Sequence, residues 1–137
     1  MTKTLTTQAG TGNTLALDGA TASNFLVGGN GSDGGIDTFF IDGRGGAVTW
    51  STIVNFHEGD QITFWGFVPN QSTQNWVDAD GVQGFTGLTL HSELGGAGTG
   101  VNASATLTGL STVDLSKLTI TTGTVAGSDY MLIQYTG

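Results

Sequence analysis

Apolar residues in this chain arrive in short pulses separated by turn-forming residues. Through the first third the pulses are Leu15-Ala16-Leu17, Phe25-Leu26-Val27, Phe39-Phe40-Ile41 and Ala47-Val48. Between them lie Asp18-Gly19, the glycine-rich segment 28–35, and Asp42-Gly43-Arg44-Gly45-Gly46. Each pulse suits one short strand and is too short for an amphipathic helix. Recurring every nine to fourteen residues or roughly so, they predict one strand per coil, a degenerate β-roll or β-helix over residues 1–48 rather than a hairpin meander.

From Thr49 the texture changes. Thr49-Trp50-Ser51-Thr52-Ile53-Val54-Asn55-Phe56 and Gln61-Ile62-Thr63-Phe64-Trp65-Gly66-Phe67 are rich in β-branched and aromatic residues with partial alternation, and both read as strands. His57-Glu58-Gly59-Asp60 joins them as a turn. Residues 68–75, around Pro69, read as a polar loop, and Asp78-Ala79-Asp80-Gly81 as an acidic turn. Further strands are expected at 87–93, 103–107, 118–122 and 130–135. Ser111-Thr112-Val113-Asp114 has the Ser-x-x-Asp start of a helical turn. The predicted fold is all-β: a short roll over 1–48 merging into a β-sandwich over 49–137, as a single domain.

Composition narrows the function. Three Lys plus Arg against eleven Asp plus Glu give a net charge of −8, which repels phosphate backbones and anionic lipid, so neither nucleic-acid binding nor membrane insertion is expected. Only 10% of residues are charged, with 24 glycines and many threonines, the look of an extracellular β-protein with a hydroxyl-covered surface. There is no cysteine, which excludes disulfides, thiolate catalysis and zinc-thiolate sites. Met1-Thr2-Lys3-Thr4-Leu5 lacks the apolar core of a Sec signal peptide.

The segment Gly28-Gly29-Asn30-Gly31-Ser32-Asp33-Gly34-Gly35-Ile36-Asp37 carries the pattern Gly-Gly-x-Gly-x-Asp. Glycines there let the backbone turn carbonyl oxygens inward while the aspartate adds an anionic oxygen, the mixed donor set calcium takes. Asn30, Asp33 and Asp37, with the carbonyls of Gly28, Gly31 and Gly35, are therefore candidate calcium ligands; the alternative is an Asx-turn without metal. Asp42 opens the next glycine-rich turn and is a further candidate. Glu58 and Asp60 are candidates at a strand turn, against a plain solvated turn. Asp78 and Asp80 form an Asp-x-Asp-Gly kernel without the later glutamate and helices of an EF-hand.

Taken together, Asp37-Thr38-Phe39-Phe40-Ile41 and Thr52-Ile53-Val54-Asn55-Phe56-His57-Glu58-Gly59-Asp60-Gln61-Ile62 resemble the end of an RTX (haemolysin-type) calcium-binding region and the tail domain that follows it. The motif-level likeness covers residues 26–67. It implies calcium-dependent folding outside the cell and export by a type I system through an uncleaved C-terminal signal, as part of a longer exported protein. The chain departs from the pattern in holding one nonapeptide, with Gly35 at its apolar position, which implies few ions.

For catalysis the sequence offers little. His57 and His91 are the only histidines, no Gly-x-Ser-x-Gly elbow or His-Glu-x-x-His occurs, and no nucleophile is visibly paired with a base, so a non-enzymatic module is expected. Trp50 and Trp65, on apolar strands, are expected in the core. Trp76, beside the polar loop and Asp78, is the candidate for an exposed contact with a polysaccharide. That gives an alternative function, calcium-assisted carbohydrate binding; a further alternative is a passive C-terminal cap and secretion segment.

Overall fold

The computed structural model describes residues 2–6, 14–18, 23–27, 36–42 and 48–136. Eleven strands follow in chain order: β1 (Thr2–Thr6), β2 (Thr14–Asp18), β3 (Ser23–Val27), β4 (Ile36–Asp42), β5 (Thr49–Val54), β6 (Gln61–Trp65), β7 (Thr73–Asp80), β8 (Gly87–Glu93), β9 (Ala103–Thr108), β10 (Leu118–Val125) and β11 (Ser128–Tyr135). The fold is all-β, with one 3₁₀ helix at Thr112–Lys117 among the described residues.

The first six strands alternate between two sheets. One sheet has the order β1-β3-β5-β9-β8-β7 and the other β10-β11-β6-β4-β2. The pairs β1/β3, β3/β5, β5/β9, β2/β4 and β4/β6 are parallel, whereas β8 and β7, like β11 and β10, continue each sheet antiparallel. Both sheets thus draw strands from either side of residue 48.

Where the described pulses lie on strands, alternate residues face the opposite sheet and form the core, whereas Val48 lies outside the strands and is exposed. From the six-stranded sheet come Leu26, Ile53, Leu107 and Leu88, aligned across four neighbouring strands, with Ala105 and Leu90 in the next row. Phe39 and Ile41, Ile62 and Phe64, and Ile133 and Met131 answer from the other sheet. All are buried in one cluster between the layers. Trp50 and Trp65 do not belong to it, contrary to expectation, while Trp76 packs against it.

One element differs from the sequence pattern. Residues 73–80, read as loop and acidic turn, form β7, an edge strand paired with β8. Thr-Gln-Asn-Trp-Val-Asp-Ala-Asp has no apolar alternation because an edge strand with an exposed face needs none. Its register shifts between Val77 and Asp80, where Ala79 adopts a positive φ of 54°, a bulge that turns the strand end over its neighbour.

Candidate metal centre

The parallel register of β4 and β6 builds the site. Thr38 aligns with Gln61, and the Gln61 side chain donates to Thr38 Oγ1 at 3.2 Å. The residues just before them are Asp37, on β4, and Asp60, immediately ahead of β6, so the pairing sets these carboxylates side by side. Asp37 has the same strand parity as Phe39 and Ile41 and faces inward, at the end of the sandwich; it is 4% exposed and Asp60 is fully buried.

The β5–β6 crossover supplies the third group. After Asn55, in the left-handed region at φ 65°, the chain turns through Phe56 and His57, and Gly59 at φ 96° closes the turn. Asp60 N–H donates to the His57 carbonyl at 3.0 Å, Gly59 N–H to the Tyr135 carbonyl, and Tyr135 N–H to the Asp60 carbonyl. Phe56 is buried beneath, its ring 6.1 Å from Phe39 and 5.9 Å from Tyr135. The turn is fixed on both sides.

Within it, Asp60 Oδ1 accepts from Asp37 N–H at 2.8 Å and Oδ2 from His57 N–H at 3.1 Å. His57 Nε2 lies 3.6 Å from Asp60 Oδ2, is buried and has no hydrogen-bond partner among the described residues. One donor atom from each of Asp37, His57 and Asp60 falls within 4.8 Å of the others. Burial pushes the Asp60 carboxyl up from its ordinary range, against the two backbone N–H groups and His57, which pull it down; the Asp37 carboxylate pushes it up further. Two carboxylates and an imidazole around one point make a donor set for a divalent cation.

The other sequence candidates lie elsewhere. Gly28, Asn30, Gly31, Asp33 and Gly35 fall outside the described residues. Asp42 closes β4, in register with Trp65. Glu58 is exposed, one residue from His57, and its carbonyl lies 3.2 Å from His57 Nδ1. Asp78 accepts from the Thr112 N–H and hydroxyl at 2.6 and 2.8 Å, tying β7 to the start of the 3₁₀ helix. There Asp114 accepts from Ser111 N–H, as the Ser-x-x-Asp pattern suggested. Trp76 is half-buried with its indole N–H on Gln74 Oε1.

Asp80 belongs to a different cluster, which the sequence did not announce. The bulge carries it over the outer face of the six-stranded sheet. There its Oδ2 lies 2.6 Å from His91 Nε2 while Oδ1 accepts from Gly81 N–H. His91 Nδ1 is in turn 2.8 Å from Ser104 Oγ. The His91 hydrogen bond first, then the Gly81 N–H, hold the Asp80 carboxyl below the usual carboxylate range. A depressed folded pKa contributes stability that is present above the unfolded value and lost as pH falls through the folded one. Asp80→Asn should therefore lower the melting midpoint at pH 7, and its gap from the parent should close as pH falls below about 4. A gap that stays constant with pH would show that the charge of Asp80 does not matter.

Comparison with protein-family models, with curated proteins and with solved structures returns no significant match.

Proposed function

We propose that this chain is a non-enzymatic cation-binding module of RTX type, in which calcium orders glycine- and aspartate-rich turns of an exported protein. The observation that supports cation binding is the Asp37–His57–Asp60 group, while the RTX type and export rest on the resemblance over residues 26–67. Two buried carboxylates, one on β4 and one just before β6, meet beside the β5–β6 crossover, where an ionised Asp60 is costly unless a positive charge compensates it. A cation there would tie β4, the crossover and β6 together, stapling the sandwich end in a chain without disulfides. The imidazole gives a second reading of the ion. Calcium takes oxygen ligands, whereas a nitrogen donor also suits a zinc-class ion.

Thermal melts of chelator-treated protein with calcium, magnesium or zinc added back test this. Calcium at about one hundred times its dissociation constant should stabilise by about 2.7 kcal/mol. That corresponds to a rise of roughly 10 °C in melting midpoint. The rise should shrink in acid, because protons compete for the same oxygens. A shift with zinc alone would replace calcium at this site; no shift with any cation would sink the reading.

A further inference from the structure

The Asp80–His91–Ser104 cluster borders a surface cavity of about 500 Å³ lined by Val48, Thr49, Trp50, His91, Val101 and Ser104. It lies on the outer face of the six-stranded sheet, where Trp50, Ser104 and His91 stand in one row across β5, β9 and β8. Trp50 is pinned: its indole N–H donates to Thr106 Oγ1 at 2.9 Å, and its ring meets His91 edge-on at 5.1 Å. Val48 and Val101 are 76% and 47% exposed, so apolar side chains stand in solvent around a polar floor. The volume is that of a small-molecule site.

The direction of the hydrogen bonds defines what the floor offers. A carboxylate only accepts, so His91 Nε2 carries the proton in its 2.6 Å bond to Asp80. In the neutral ring Nδ1 is then the acceptor, and Ser104 spends its single O–H proton on it. With the ring neutral, Ser104 keeps its oxygen lone pairs, polarised by a chain of donors running to an anion. The cavity therefore presents an acceptor at its floor and apolar walls above it.

We propose that this cavity binds a neutral aromatic or aliphatic alcohol, whose apolar body packs against Trp50, Val48 and Val101 and whose hydroxyl donates to Ser104 Oγ. The carboxylate of Asp80 behind the floor and the net charge of −8 disfavour an anion. The site is independent of the cation reading, and its test is run in calcium-containing buffer on the full chain.

Calorimetric titration with 2-naphthol, its methyl ether 2-methoxynaphthalene, and 2-naphthoate separates body, donor and charge. The alcohol should bind about tenfold more tightly than the ether, the value of one hydrogen bond to a polarised acceptor. 2-Naphthoate should bind more weakly than the alcohol. Ser104→Ala, checked as folded by circular dichroism, should bind alcohol and ether alike, and Trp50→Leu should weaken both. Equal binding of alcohol and ether by the parent, a preference that survives Ser104→Ala, or no binding of either would overturn the proposal.

Discussion

Asp60→Ala is expected to lower the stability of this protein by about 3 kcal/mol, a fall of roughly 10 °C in melting midpoint, and to abolish the proposed cation-dependent shift. The carboxylate is fully buried and accepts from two backbone N–H groups, those of Asp37 and His57. Alanine leaves both donors without that acceptor, and each buried orphan costs about 1–3 kcal/mol. Relief from burying a charge offsets part of that loss, because burial already pushes this carboxyl up. Asp60→Asn is the informative companion. It retains one acceptor oxygen, so it should lose less stability than alanine while losing the cation shift as fully. Denaturant and thermal melts with and without calcium read both numbers. An alanine variant as stable as the parent would mean that the crossover is held by its other contacts alone.

Gly87→Ala is the second large effect, expected at about 3 kcal/mol or more, again roughly 10 °C. Gly87 opens β8, and a methyl group added there would meet the Leu107 carbonyl oxygen on β9 and lie 2.9 Å from the Gly109 nitrogen. Those are backbone atoms held in place by Leu88 N–H to the Leu110 carbonyl and Gly109 N–H to the Thr86 carbonyl. No side-chain rotation relieves the clash; the strands must part. The loss should be accompanied by faster amide exchange along β8 and β9. Gly84 is the control: it sits at φ 89° with nothing near the place a methyl would occupy, so alanine there costs only local backbone strain. If the two variants melt alike, the close approach at Gly87 is not what limits β8.

The apolar pulses were legible because a strand facing a core has to carry them: Phe39 and Ile41, Ile53, Ile62 and Phe64 are all buried where the pattern put them. β7 was not, since its pairing with β8 decides its conformation and its own residues favour turns. The metal group was half legible. Asp37 and Asp60 stood out singly, but their meeting depends on the register Thr38 to Gln61, which no local pattern encodes. His57 carries no metal-binding motif of its own; its spacing of three from Asp60 across a turn is the available signal. Asp80 and His91 became partners through a bulge, and Ser104 joined through strand order. Trp50 left the core for the same reason: its neighbour Ser51 has the inward parity.

The strand order also governs how this chain folds. β5 finds its neighbour in β9, aligning Ile53 with Leu107, and β6 finds β11, aligning Ile62 with Ile133. Residues near the middle of the chain thus wait for partners near its end, and closing such long loops before any pairing rewards them slows the search. A nascent chain emerging only as far as β6 would pair β5 with β3 and β6 with β4 but lack β9 and β11, so the central contacts of both sheets are expected to complete only once those strands are made.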